Sequence, residues 1–268
     1  MNPTIHWATT VRVLTQLRRD RRTVFMILVV PALLTVLFYF TLSKQPVGPD
    51  GRTPFDRLGI LQLGVLPCAV MFPITAITIR RERSTGTLDR LFATPLTKLE
   101  LLAGYGTAFS LAASAQAAII TLVAFRVTDL HTDGSPLLVA MVCVLGAILG
   151  VSLGLFFSAF AKSEFQAVQF APIVLVPQLF MAGVFTPRDD MPGWLQSVSD
   201  ALPLTYAVDP MCKAVFAHLD LSQAARRALD PGVTWWGWKV PGPIEAAVIA
   251  LLGFVMLLIA IAEFSRAE

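Results

Sequence analysis

A catalytic or metal site in this chain would have to be built from three histidines, three cysteines and 18 Asp or Glu residues. His6, His131 and His218 all fall outside the long apolar runs. A buried histidine relay, a Ser-His protease or a metal site therefore lacks its parts. Cys68 and Cys143 lie inside apolar runs and Cys212 in a later loop, which is neither a disulfide framework nor metal-ligand spacing. No Gly-Lys dipeptide occurs, so the chain has no P-loop lysine to cradle the phosphates of ATP. Glu164 and Glu263 stand at the edges of apolar runs and read as helix-end charges facing water, not as an acid or a base.

Hydrophobic residues make up 55% of the 268 and charged residues 15%, against about a quarter charged in a soluble domain. A helical span takes ~20 mostly apolar residues to cross ~30 Å of hydrocarbon. Six segments approach this: 24–42, 58–79, 101–125, 137–160, 165–186 and 243–262. The first five carry no charge, and the sixth only Glu245, close enough to its end to reach the interface. The reading is an all-α integral membrane protein, with six transmembrane helices in a single domain over 1–268. Ion-driven carriers keep ionisable residues at membrane depth, and the interiors of these spans have none, so energy for transport would have to arrive from another chain.

With the N-terminus inside, segments 1–22, 80–100, 161–164 and 263–268 hold 12 Lys and Arg in 53 positions, against nine in 81 for 43–57, 126–136 and 187–241. The positive-inside rule then places both termini in the cytoplasm. The basic residues form short groups with no long stripe, which argues against a nucleic-acid partner.

The elements around the spans follow from spacing. Ile5, Ala8, Val11 and Leu14 recur every three residues beside Trp7 and Leu17, with Arg18 among the basic positions, so 1–22 predicts an amphipathic helix lying in the interface. A merely basic solvated tail is the alternative. Gly146, Gly150 and Gly154 stand four apart and form a small-residue ridge for close packing on another helix, within the protomer or in a second copy. Segment 187–241 is too broken to span and too apolar for an ordinary loop, which short helices dipping into the outer leaflet would reconcile. Trp235, Trp236 and Trp238 with Lys239 suggest an aromatic anchor before the last span. In segment 80–97, Leu88, Leu91 and Phe92 recur at helical spacing between Gly86 and Pro95, giving a short inner amphipathic helix that either docks a separate ATPase or is held by lipid.

The run Glu82 to Leu96, with its E-x-x-x-G-T-L-x-x-L-x-x-T-P-L pattern, closely resembles the cytoplasmic coupling region of type-2 ABC exporter permeases. Gly183-Val184-Phe185-Thr186-Pro187, Met191-Pro192-Gly193-Trp194-Leu195 and Pro203-Leu204-Thr205-Tyr206-Ala207-Val208-Asp209 resemble the same family's signature around its fifth span. The chain departs from the pattern at Leu202, where Asn is frequent, and at Cys212, where Arg is frequent and Lys213 comes next.

The resemblance implies the membrane subunit of an ABC exporter of drugs, lipids or polysaccharides, multi-pass in a bacterial-type plasma membrane. Such a subunit is not itself an enzyme. It pairs with a second permease copy or paralogue and with two ABC ATPase subunits that bind ATP and Mg, and it sits among membrane lipids. The family roles carry over as ATPase coupling for Arg81, Glu82, Arg83, Gly86, Thr87, Leu88, Leu91, Thr94, Pro95 and Leu96, and for the N-terminal helix with Trp7, Val11, Leu14 and Arg18. They carry over as an outer re-entrant gate for Gly183, Phe185, Pro187, Pro192, Trp194, Pro203, Leu204, Thr205, Tyr206 and Asp209. An amphipathic or lipid-linked substrate suits the uncharged walls, where Phe156, Phe157, Phe160, Phe170, Phe180 and Phe185 either line a path or face lipid. The alternative is an ion-coupled or passive transporter.

Overall fold

The computed structural model describes residues 2–46, 53–86, 96–132, 135–185, 188–216, 232–235 and 238–266. In chain order these form α1 (Pro3–Arg19), α2 (Arg21–Leu42), α3 (Pro54–Ser84), α4 (Lys98–Arg126), α5 (Pro136–Phe160) and α6 (Glu164–Met181). A 3₁₀ turn (Arg188–Asp190), α7 (Gly193–Asp200), α8 (Pro203–Phe216), a two-stranded hairpin of β1 (Thr234–Trp235) and β2 (Trp238–Lys239), and α9 (Gly242–Arg266) complete the order.

Local chemistry sets the helix starts. Thr53 and Asp56, and again Thr97 and Glu100, form reciprocal capping boxes that satisfy the first free N–H groups of α3 and α4. Asp20 both ends α1 and caps α2, its carboxylate accepting from the Arg22 and Thr23 N–H groups. At the ends, Gly86 (φ 69°) and Gly183 (φ 87°) take the left-handed conformation that closes a helix and that a side chain disfavours.

Among the described residues five helices, α2 to α5 and α9, are long and apolar enough to cross a membrane. With 18 residues at ~1.5 Å each, α6 reaches only ~27 Å and ends at Met181, short of the expected 186. By contrast α3 extends to Ser84 and carries Arg80 to Arg83 as helix beyond its apolar part. Large side chains on α2, α6 and α9, among them Leu33, Phe40, Ile173, Phe254 and Leu258, are exposed, as lipid-facing positions are.

The centre is the α3–α5 pair, on which α4, α6, α8 and α9 pack. The glycine ridge of α5 faces α3 of the same chain. A Cβ built on Gly146 would lie 3.3 Å from the Gly64 carbonyl oxygen, on Gly150 2.6 Å from that of Cys68, and on Gly154 2.6 Å from that of Phe72. Three glycines four apart thus meet three carbonyls four apart, and the backbones approach where no side chain fits.

Candidate functional site

At the end of α3 that carries Arg80 to Ser84, Glu82 is 5% exposed. Gln16 Nε2 of α1 donates to Glu82 Oε1 at 3.0 Å, and Arg12 Nη2 of α1 stands 3.9 Å from Oε2. Arg12 also donates to the Tyr105 hydroxyl of α4 at 2.7 Å and lies over that ring, 5.5 Å from its centroid. Glu82 is therefore clasped between α1 and α4. On the other side of the same helix end, Arg81 pairs with Glu164 of α6 at 3.3 Å, and Arg80 donates to the Lys162 carbonyl.

Close backbone packing fixes α1 on α4. A Cβ on Gly104 would sit 2.6 Å from Thr9 Cγ2, and the Asn2 N–H donates to Glu100 Oε1 at 2.6 Å. Thr9, Thr10 and Val13 are buried on α1, while Trp7 (59%) and Val11 (43%) face outward, with Leu14 half-buried and Arg18 exposed. Of the expected coupling residues, Arg81, Glu82, Arg83, Gly86 and Leu96 lie at this end of the fold. Thr87, Leu88, Leu91, Thr94 and Pro95 lie outside the described residues.

The opposite end holds a polar knot built from the second motif. Thr205 donates to the Ser199 carbonyl at 2.7 Å, Ser199 Oγ to the Met181 carbonyl at 2.8 Å, and Tyr206 OH to the Asp200 carbonyl at 2.7 Å. Trp235 Nε1 donates to Tyr206 OH at 3.1 Å, and the Leu204 N–H to Gln178 Oε1 of α6 at 3.2 Å. Buried Arg188 pairs with Asp200. Leu204, Thr205, Tyr206 and Asp209 are buried, with α8 packed among α3, α5, α6 and α9, whereas Phe185 (65%) and Trp194 (69%) are exposed. Pro187 lies outside the described residues.

Glu245, expected at the interface, is instead fully buried at the start of α9. Lys213 explains it: its ammonium contacts Glu245, stands 2.7 Å from Asp209 Oδ2 and donates to the Val240 carbonyl at 2.7 Å. Asp209 also accepts from the Val233 N–H at 3.0 Å. Burial pushes the Asp209 carboxyl up, but the hydrogen bond shared with Glu245 and the Lys213 ammonium outweigh it and hold it below its ordinary value. Burial lowers Lys213 and the adjoining Asp209 charge more than reverses this, leaving it above its ordinary value. Lys213, one position beyond the family's Arg and four beyond Asp209, faces Asp209 one helical turn away. Among the described residues no group of three or more His, Cys, Asp and Glu could hold a metal ion.

The description "ABC-2 type transporter" matches residues 6–216, a stretch containing both polar assemblies up to Lys213. The chain belongs to the ABC-2 type transporter family. Among ABC-2 relatives, it is 27% identical over 136 residues to "Probable multidrug ABC transporter permease YbhR" of Escherichia coli (strain K12), covering 51% of this chain and 37% of that one. It is 30% identical over 182 residues to "ABC transporter G family member 20" of Dictyostelium discoideum, covering 66% and 25%. To "Linearmycin resistance permease protein LnrN" of Bacillus subtilis (strain 168) it is 24% identical over 175 residues, covering 65% and 45%. The matches thus span less than half the length of these relatives. As an ABC-2 family member with five apolar helices of spanning length, the chain is a multi-pass membrane protein.

Sequence reading missed the partners that make each ABC-2 motif a structure. Arg12, Gln16 and Tyr105 carry no motif. For Lys213 and Glu245 a signal existed, because one acidic residue inside an apolar run calls for a cation, and Lys213 was the neighbour of a departed family position.

Proposed function

We propose that this chain is the transmembrane subunit of an ATP-driven exporter, crossing the bilayer six times with α6 as the short fifth span and with both termini in the cytoplasm. A separate ABC ATPase, two copies per complex, docks on α1 and on the Arg81 to Leu96 stretch, and a second permease copy or paralogue completes the path. The substrate is amphipathic or lipid-linked, and α7 and α8 form the re-entrant outer gate. The observation that supports this reading best is the Glu82 clasp, which ties the start of the coupling motif to α1 and α4, so that a push on one is felt by all three. The multidrug and linearmycin-resistance names of the relatives agree with an amphipathic cargo.

The test is reconstitution in proteoliposomes with the ATPase that copurifies. Glu82→Gln should keep insertion and basal ATP hydrolysis while export falls at least ~10-fold, the loss that ~1.4 kcal/mol of coupling free energy corresponds to. Export at the wild-type rate with an intact ATPase complex would remove the coupling role. Export that persists without ATP and collapses with the proton gradient would favour an ion-coupled carrier.

A further inference from the structure

Beside the clasp lies a cavity of about 490 Å³ between α1, α2, α3 and α4, with Val168 of α6 on its wall. Its walls are apolar, with Leu17, Met26, Ile77 and Phe109 among them, and its mouth is polar, with Gln16, Asp20, Arg81 and Glu82. The volume suits one drug-sized molecule.

The mouth carries two carboxylates, Glu82 and Asp20, beside the Arg81 guanidinium. Glu82 is 95% buried and lines the cavity, yet its Oε2 accepts no hydrogen bond among the described residues, and Arg12 at 3.9 Å is too far to donate. A buried carboxylate oxygen without a donor is costly, so a donor belongs there. Asp20 is the second anion. The Thr23 hydroxyl, above all, keeps its carboxyl below the ordinary value, so it stays charged. The two cations nearby are already shared with other groups: Arg12 faces Glu82 Oε2 at 3.9 Å but donates to the Tyr105 hydroxyl and lies over its ring, and Arg81, 60% exposed and close enough to favour the Asp20 charge, pairs with Glu164.

We propose that this cavity binds a single-chain lipophilic amine, its ammonium donating to Glu82 Oε2 near Asp20 and its apolar body lying between α2, α3 and α4. The site is a property of this chain alone and does not depend on ATP-driven export.

Equilibrium dialysis of radiolabelled dodecylamine against the full chain in nanodiscs of phosphatidylcholine, corrected for empty discs, tests it. Saturable one-to-one binding is expected, at least fivefold weaker for dodecyltrimethylammonium, which has no N–H to donate, and undetectable for dodecanoate. Glu82→Gln should weaken dodecylamine binding at least tenfold. Ile77→Trp, which fills the cavity and leaves the clasp untouched, should do the same and covers the case in which Glu82→Gln does not fold. Equal binding of all three head groups, or wild-type affinity in Ile77→Trp, overturns the proposal. So does full displacement by phosphatidylethanolamine placed in the discs, which would make the occupant a two-chain lipid.

Discussion

Replacing the ridge glycines of α5 by alanine sets two effects against each other whose sizes differ by position. Alanine favours a helix over glycine by about 1 kcal/mol. Against this, the new Cβ at position 150 meets the Cys68 oxygen at 2.6 Å and its Cα at 2.9 Å, and at position 154 the Phe72 oxygen and the Thr75 Cβ, both at 2.6 Å. Ordinary contact begins near 3.4 Å, so the helices would have to separate by most of an ångström, and the obstacles are mainly backbone atoms that cannot rotate aside. Overpacking of this kind costs about 1–3 kcal/mol. At position 146 the nearest atom is 3.3 Å away, and a shift of a tenth of an ångström suffices. Gly150→Ala and Gly154→Ala should therefore lose up to about 2 kcal/mol net, while Gly146→Ala should be neutral or gain up to about 1 kcal/mol. Heating each purified variant and recording the temperature at which half of the monodisperse size-exclusion peak is lost gives the order directly. Equal effects at all three sites, or the largest at Gly146, would refute this packing argument. If heat resistance is unchanged and self-association is lost, the ridge belongs between copies instead.

Lys213→Met leaves the buried Asp209 and Glu245 without their cation and should cost about 3 kcal/mol, the low end for a broken buried pair because the lysine is partly exposed. Adding Glu245→Gln should recover part of it, measured as a double-mutant cycle on the same thermal assay. The stability due to Asp209, held below its ordinary value, should be complete above about pH 3.8 and fade as pH falls through its lower folded value. That due to Lys213, held high, should be complete below pH 10.5 and fade as pH rises through its folded value, so the wild type and Lys213→Met should differ most between these limits. Thr97→Ala removes the capping box of α4 and should cost about 1 kcal/mol in the same assay. In reconstituted complexes, a bulky label on a cysteine at exposed position 194 should slow substrate release more than one at position 131, whereas a label at buried position 204 should impair folding itself.

Of the six apolar runs read as spans, five coincide with helices long and apolar enough to cross a membrane, because a run of ~20 uncharged residues satisfies its backbone hydrogen bonds in lipid by coiling into a helix. The capping boxes Thr53-x-x-Asp56 and Thr97-x-x-Glu100 act within four positions and so leave a local signal, although the reading from spacing did not use it. What spacing could not reveal is pairing across the chain. Glu82 finds Gln16 66 residues away, and Arg12 finds Tyr105 93 away, and neither pair has a periodicity. The length of α3 was hidden for a related reason: its last turns are charged, and they remain helical because α1 and the 162–164 connection supply the partners that water would otherwise provide. Pro203 to Asp209 showed polar residues at close spacing, but that each hydroxyl would be turned inward onto a carbonyl follows only once α8 is packed among α3, α5, α6 and α9.

Three successive residues at the end of α3 are anchored in two directions, Arg80 and Arg81 to the 162–164 connection and Glu82 to α1. Neighbours on a helix point about 100° apart, so these tethers restrain torsion as guy lines restrain a mast. A quarter turn of α3 about its own axis would slacken one side and tear the other. The α3 helix can still tilt or slide along its length, provided α1 and residues 162–164 travel with it. A push applied at this end of α3 would thus meet more resistance to twist than to leaning or piston displacement.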